Sequence, residues 1–552
     1  MLLEGCATPP AHPVRFLNRQ AGLPGGSFCA WDGRLDGGGG SGESPAAAAL
    51  DVYRRRGAAG FRELIGDWSL ALWDQEAQTL VLASDYAGIR PLYYRYSGGQ
   101  VRWSSALGEL AAASGIGPLD EAFAAEFLFQ AASRSTPYPG IAAVPPGCAV
   151  MVSAAGLRVQ RFWDFPAECP STAGDTESEL RLFHFFREAV EVRIRPYPHA
   201  ASELSGGLDS SSVVAMATEL GSRLTTFSYT HPNSTDERYF RAVERHCGVD
   251  GVHLRMDDYP IVTPDQTGGA SPAWWEPRMR GLARHLKAAG AETLLTGQLG
   301  DLTMGNVLDD SDQAAAYLRR FQFGRAAREA YEWSQSLHIP IYPILWRSLR
   351  LAASSWTPED NSDFSPVGLR RMTREDSLSR RFRRRAREIQ RENALHDPDW
   401  RSAPPDRRRR WRVLAELLRT RRLETPEPLL EFSYSHPFAH RPLVEFMLTV
   451  PRDLVCRPGE PRRLMRRALR GILPEPVLTR RSKADYTGAY SQVLRPLALD
   501  LLHGNRAIRL VELGLLEPSS LRSRLDRFTQ GLECDEAQLR QILLLEFWLR
   551  GR

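Results

Sequence analysis

Residues 202–213 read "SELSGGLDSSSV": two adjacent glycines and an aspartate between a short apolar run and an apolar stretch. A strand that ends at Ser205-Gly206-Gly207 and a helix that starts at Asp209 would aim backbone N–H groups at one point. The glycines allow close approach and the helix start adds partial positive charge, which suits a phosphate or pyrophosphate. The spacing is not that of a Walker A loop. A tight turn capped by Asp209 or Ser210 would use the same glycines. The complete string Ser205, Gly206, Gly207, Leu208, Asp209, Ser210 at a strand-to-helix junction favours binding over a plain turn.

Strand candidates recur around this loop between helical stretches: "AASEL" (200–204), "LTTFSYT" (224–230), "VHLRM" (252–256) and "AETLLTG" (291–297), with a helix near 179–192. That alternation predicts an α/β fold with a doubly wound parallel sheet. Beyond about residue 310 the chain reads as largely helical, and 370–422 is dense in arginine. No aromatic platform or recognition motif accompanies those arginines, so they read as solvated helix faces and no nucleic-acid partner is expected. Residues 66–105 instead alternate apolar and polar residues, broken by Ser97-Gly98-Gly99, and predict antiparallel hairpins. "DGGGGSGES" (36–44) reads as a flexible loop and 166–178 as a linker.

A chain of 552 residues predicts two or three domains, and 43% hydrophobic with 25% charged residues fits an ordinary globular protein. No apolar run approaches the roughly 20 residues that span a bilayer, and no membrane partner is expected. The N-terminus lacks the pattern of a secretory signal. Seven scattered cysteines without a CxxC pair predict reduced thiols in a cytoplasm, and neither a zinc site nor a disulfide framework. Only Lys287 and Lys483 are lysines, against 69 arginines. A position that keeps lysine in such a chain is a candidate for a compact ammonium group.

"SGGLDSS" resembles the pyrophosphate loop of the ATP-pyrophosphatase superfamily, and "LLTGQLGD" (294–301) resembles the "TGxGGDE" loop of asparagine synthetases. Leu299 stands where that family has glycine, and Leu302 where it often has glutamate. "GDWSLALWDQEAQTLVLASDYAGIRPLYYRY" is similar to the glutaminase half of those enzymes, and "LPEPVLTRRSKADYTGAY" (473–490) to their late segment. The resemblance implies an N-terminal glutaminase-like αββα sandwich, a degenerate class II glutamine amidotransferase-like domain over 1–168. It implies an ATP-binding synthetase domain with a helical extension over 178–552. It implies ATP and Mg2+ as cofactors, Asp209 and Asp301 as metal ligands, and Ser228, Thr296 and Gly297 beside the 205–210 loop in nucleotide binding.

The resemblance also implies what is missing. The glutaminase nucleophile is a cysteine directly after the initiator methionine, but this chain begins Met1-Leu2-Leu3, and Cys6 follows Gly5. "WDGRLD" (31–36) stands where the glutamine-holding "NGEIYN" is expected. Without ammonia, the natural reaction is closure by an amine of the substrate itself. The family's lasso peptide cyclases and its β-lactam and carbapenam synthetases both do this. A lasso cyclase is favoured, with a precursor peptide as substrate and a leader-peptide-binding protein and leader peptidase as partners. The alternatives are a small-molecule lactam synthetase, a glutamine-dependent asparagine synthetase and a silent peptide-binding scaffold. Lys483, Tyr434 and His436 are the catalytic candidates. The family's glutamate falls on Ser433, with Glu431 two residues earlier, and His436 reads equally as a packing residue. Arg462, Arg463, Arg466 and Arg467 form a basic stretch that either reaches phosphates or faces solvent.

Overall fold

The alternating pattern of residues 66–105 folds as β5 (Gly66–Asp74), β6 (Thr79–Ser84), β7 (Tyr93–Ser97) and β8 (Gln100–Ser104) in antiparallel pairs, with Gly98-Gly99 turning the second hairpin. The preceding strands are β1 (Glu4–Thr8), β2 (His12–Phe16), β3 (Ala21–Gly22) and β4 (Phe28–Leu35); β9 (Ile141–Ala143), β10 (Cys148–Ser153) and β11 (Gly156–Arg161) follow. They form a sheet ordered β2-β1-β8-β7-β9 and another ordered β11-β10-β6-β5-β4-β3. Phe28, Trp73, Leu82, Val101, Trp103 and Val150 fill the space between the sheets. Helix α1 (Pro45–Arg56) covers the outer face of the second sheet through Leu50 and Val52, and α2 (Leu107–Ser114) packs on Tyr93 and Ile141 of the first. The layers are therefore αββα.

The computed structural model describes residues 4–552 apart from 9–11, 17–20, 23–25, 37–43, 116, 129–134, 166–173, 233, 260–268, 273–275, 306–309, 354–376, 395–409, 412, 416–422, 481–486 and 533. Most of the expected glycine-rich loop and linker lies outside the described residues. The end of the expected linker is corrected: residues 175–178 open α4 (Asp175–Ile194), following α3 (Glu121–Leu128), and its acidic first turn suits a helix start.

The second half carries a parallel five-stranded sheet ordered β14-β13-β12-β15-β16. Its strands are β12 (Ala200–Glu203), β13 (Leu224–Thr230), β14 (Asp250–Arg255), β15 (Thr293–Leu295) and β16 (Ser433–Ser435). The first four are at the expected places, with β14 starting two residues earlier and β15 limited to three of the seven residues of 291–297. Three-residue β16 has no periodic signature and was not expected; it exists because Tyr434 pairs beside Leu294. Helices α4 and α5 (Leu208–Glu219) pack one face through Phe186, Val190, Val213 and Val214. After α6 (Glu237–Cys247), α7 (Glu276–Ala289) packs the other face through Leu282 and Leu286 against Phe227, Leu294 and Tyr434. Beyond residue 310 the described elements are almost all helical. In the helix Arg380–Ala394, Phe382, Ala386 and Ile389 are buried while Arg380, Arg381, Arg384 and Arg387 face solvent, so this helix presents the expected solvated face, whereas Arg410 is buried and donates to the Val450 and Met447 carbonyls.

A buried charge network joins the two halves. Arg90 forks onto Asp32 (3.0 and 3.0 Å) and reaches the Phe432 carbonyl, one residue before β16. Arg193 of α4, fully buried, donates through Nη2 to both carboxylate oxygens of Asp67 on β5 (3.0 and 3.2 Å), and Arg34 adds a second cation at 3.0 Å. Burial alone would raise the Asp67 carboxyl, but Arg193 and Arg34 outweigh it and hold the carboxyl below its ordinary range. Replacing Asp67 by alanine leaves Arg193 buried and short of its partner, so it should cost about 3–5 kcal/mol of unfolding free energy. A urea midpoint unchanged by Asp67→Ala refutes that role. Because the folded pKa is depressed, the wild-type contribution is present above about pH 4 and lost as pH falls through the folded value.

Candidate active site at the carboxyl edge of the parallel sheet

β12 ends at Glu203, and Ser205-Gly206-Gly207 turn the chain into α5. Gly206 has φ +70, and a Cβ there would lie 2.7 Å from both the Phe240 amide nitrogen and the Tyr239 side chain. The helix starts at Leu208, one residue before the expected Asp209, and has no side-chain cap. Ser210 is engaged elsewhere: its hydroxyl accepts from the Ser205 amide (3.1 Å) and lies 3.0 Å from the Ser205 hydroxyl. The uncapped first turn keeps its N–H groups directed at the loop, the arrangement an anion uses.

The 294–301 loop lies directly on that first turn. A Cβ on Gly297 would sit 2.6 Å from the Ser210 amide nitrogen, and one on Gly300 would sit 2.4 Å from the Asp209 carboxyl carbon. Leu299 takes the left-handed conformation (φ +70) in which glycine is at ease, so the departure from the family pattern carries a backbone cost of about 1–2 kcal/mol. Asp209, at the start of α5, and Asp301, in the short helix α8 (Gly300–Thr303), come together. Both pair with the single guanidinium of Arg462, which is 3% exposed. No described cluster of three or more His, Cys, Asp or Glu side chains could hold a metal, so the described residues offer a divalent ion two carboxylates. A site of that kind is completed by phosphate oxygens and water. The Ser211 and Ser228 hydroxyls, near the start of α5 and the end of β13, are buried without hydrogen-bond partners among the described residues. With the uncapped helix start, they fit a bound nucleotide.

The basic stretch 462–467 is not a solvated face. Arg463 and Arg467 pair with Asp175 at 2.6 and 3.3 Å, and Arg466 donates to the Pro461 and Arg480 carbonyls at 3.0 and 2.8 Å. Arg480, which the sequence pattern did not single out, donates to the Gly206 carbonyl (3.0 Å), pairs with Asp236 and lies 4.1 Å over the Tyr239 ring. It fixes the outside of the pyrophosphate loop. Lys483 lies outside the described residues.

At the β15–β16 end, Thr296 is buried and its hydroxyl meets His436 Nδ1 at 2.7 Å, while His436 Nε2 donates to the Leu423 carbonyl at 3.1 Å. That carbonyl fixes the tautomer, so Nδ1 accepts from Thr296. Burial pushes the imidazole down to about 4, so it is neutral at pH 7. With both nitrogens committed, His436 is a packing residue rather than a free base, which corrects its candidacy. Tyr434 is 4% exposed and its hydroxyl accepts from Gln298 Nε2 at 2.7 Å. Burial, with Glu203 nearby, raises the phenol well above its ordinary value. Glu431 is exposed and lies 3.9 Å from Lys287, outside the site. Glu203 and Gln298 also stand at this edge and were not singled out in the sequence, and Arg462, read there as reaching phosphates or facing solvent, instead pairs with the two aspartates. An acid ending an apolar strand was a legible signal for Glu203.

In the N-terminal half, Cys6 is the third residue of β1, paired between Arg15 on β2 and Arg102 on β8. The "WDGRLD" segment is consumed internally: Asp32 holds Arg90, and Arg34 pairs with Asp36 and Asp67.

An αββα half joined to a parallel sheet with a nucleotide-type edge is the architecture of an amidotransferase coupled to a synthetase. The asparagine synthase family matches residues 181–550, and the glutamine amidotransferase domain family matches residues 40–163. The chain belongs to the asparagine synthase family. It is 22% identical over 461 residues to asparagine synthetase [glutamine-hydrolyzing] 3 of Bacillus subtilis, covering 79% of this chain and 70% of the relative. It is 26% identical over 300 residues to amidase chry2 of Gibberella zeae, covering 48% of this chain and 43% of that protein. Against the carboxyethyl-arginine beta-lactam-synthase of Streptomyces clavuligerus, identity is 28% over 235 residues, covering 42% of this chain and 43% of that protein. The family is one of ATP-dependent, amide-forming ligases. No helix among the described residues is long and apolar enough to cross a membrane.

The contact between the two loops is testable. Gly297→Ala places a methyl against the Ser210 backbone, so the loops must part and the carboxylates with them. Its ATP turnover should fall at least about tenfold, roughly 1.4 kcal/mol, while circular dichroism stays native. Unaltered turnover would show that the loops do not need to touch.

Proposed function

We propose that this chain is an AMP-forming macrolactam synthetase of the lasso peptide cyclase type. It adenylates an Asp or Glu side chain of a precursor peptide, releases pyrophosphate and closes a ring with the peptide's N-terminal amine. The observation that supports closure by an amine of the substrate itself is the state of the N-terminal half. The segment expected to hold glutamine is locked in ion pairs with Arg90 and Asp67, and Cys6 sits inside a paired strand. Ammonia from glutamine is then absent and the nucleophile belongs to the substrate. Holding amine and acyl group in one site gives the closure the advantage of an intramolecular reaction.

ATP is the co-substrate, with its triphosphate over Ser205–Ser210 and its sugar-base end toward Ser228. Mg2+ on Asp209 and Asp301 would neutralise the pyrophosphate as it leaves. Arg480 holds the loop in place, and Tyr434 with Gln298 lines the acyl side. Lys483 supplies one concentrated positive charge as the adenylate forms or is attacked. A leader-peptide-binding protein and a leader peptidase would act with the enzyme in a cytoplasm. The second reading is a small amino-diacid lactam synthetase, favoured by the likeness to the β-lactam-synthase. Substrate-dependent ATP–pyrophosphate exchange with a peptide and with amino diacids separates the two; exchange with the diacid alone refutes the peptide reading.

Two further outcomes follow from the site. Asp209→Asn and Asp301→Asn should fold normally and lose most AMP formation. Near-normal AMP formation in either variant removes that carboxylate from the site. Lys483→Met should slow ring closure by about 10²–10³ with ATP binding intact. Lys483→Arg should be nearly as slow, because a planar fork spreads the charge. An arginine variant at the wild-type rate withdraws the catalytic role of Lys483.

A further inference from the structure

One further carboxylate stands at the sheet edge. Glu203 ends the central strand two residues before Ser205, in register with Phe227 of β13. Strand alternation puts it on the face of Ala201, Leu294 and Tyr434, opposite Ser202 and Leu204. It is partly exposed, and no described residue lies within hydrogen-bond or ion-pair distance of its carboxylate. Arg278 of α7 approaches it from one side, 4% exposed, 4.3 Å over the Tyr229 ring and bonded through Nε to the Tyr259 carbonyl at 3.0 Å. Tyr229 of β13 and Tyr434 of β16 face it from the sheet, with Tyr259 beyond Arg278. The Tyr229 hydroxyl is itself buried without a partner among the described residues. Burial pushes the Glu203 carboxyl up to about 7, with Arg278 pulling the other way.

We propose that Glu203 takes the proton from the substrate amine as that amine attacks the activated carboxyl. The nitrogen lone pair forms the C–N bond, and the bond from acyl carbon to AMP oxygen breaks. AMP leaves with the electron pair, and the N–H proton passes to the Glu203 carboxylate. The inference rests on the amide-forming reading above, and it gives that reading its base. The carboxylate stands beside the pyrophosphate loop, on the Tyr434 side, with no competing partner among the described residues. A group that titrates near working pH also transfers protons most effectively in both directions.

Glu203→Gln keeps shape and removes the acceptor. It should sustain substrate-dependent ATP–pyrophosphate exchange within about twofold of wild type, while ring closure falls about 10²–10⁴-fold. Wild-type ring closure should rise with pH to a plateau above about 7, where the carboxyl is ionised. The glutamine variant should lose that limb, and Glu203→Asp should keep it at a lower rate. Hydroxylamine, already unprotonated at pH 7, should still trap the adenylate as hydroxamate in Glu203→Gln at close to the wild-type rate. Ring closure by Glu203→Gln at the wild-type rate with the limb intact overturns the inference. A 13C NMR titration of the wild-type glutamate carboxyls, with Glu203 assigned by its loss in the variant, tests it without any substrate. A midpoint near 7 supports the proposal, and one in the ordinary glutamate range overturns it. A wild-type protein that shows no peptide-dependent exchange refutes the peptide reading, and the titration still decides the case of Glu203.

Discussion

Two carboxylates cannot sit side by side at the edge of a sheet without a cation between them. At about 4 Å and an effective dielectric near 20, like charges repel by about 4 kcal/mol. Asp209 and Asp301 are brought together by the packing of Gly297 and Gly300 on the first turn of α5, and Arg462 answers their charge. The arginine holds a left-handed backbone (φ +55) to do so, at a cost of about 1–2 kcal/mol for a residue with a Cβ. Much of the site's shape descends from this one requirement. The loops close because the glycines allow it and stay closed because the guanidinium ties them. Any divalent ion using both carboxylates must first displace that guanidinium.

The N-terminal half serves the same edge from behind. Arg90 and Arg34 extend from the αββα sandwich to the Phe432 carbonyl and the Ser435 hydroxyl, so they brace β16, which carries Tyr434. The Tyr86 hydroxyl reaches the Ala439 carbonyl, and Trp163 donates to Glu445 at 2.9 Å. A domain whose expected glutamine-holding segment is spent on such contacts still has a physical reason to persist. These contacts add to the ladder with β15 and to the packing of Phe432 and Tyr434, which hold the three-residue β16 in place.

The αββα layering was legible only through the family resemblance, whereas the antiparallel hairpins and the first four parallel strands were legible because they depend on local pattern: alternation, β-branched runs and glycine turns. The pyrophosphate loop was legible for the same reason, since one contiguous string places Ser205 through Ser210. What escaped depends on contacts between distant residues. β16 is too short to show a period and exists through Leu294. Arg462 stood out only as one of four arginines in a basic stretch, and its pairing with residues 253 and 161 positions away sets its role apart from theirs. For Arg463, Arg466 and Arg467 the sequence left phosphate contact and a solvent face equally open, because the acid and carbonyls that engage them come from α4 and from residues 461–480.

The choice of base shows why residue type is a poor guide at such an edge. A histidine is the usual candidate for proton transfer near neutral pH. Burial disfavours the charged form of any group, so it lowers an imidazole and raises a carboxyl. At this edge that carries His436 down to about 4 and Glu203 up to about 7. The histidine is also spent, bonded to Thr296 on one nitrogen and Leu423 on the other, whereas the glutamate carries no partner among the described residues. Desolvation thus takes proton transfer near neutrality away from the residue that ordinarily performs it and gives it to one that ordinarily does not. Hydrogen bonding then decides which of the two is free to act, and both effects select Glu203.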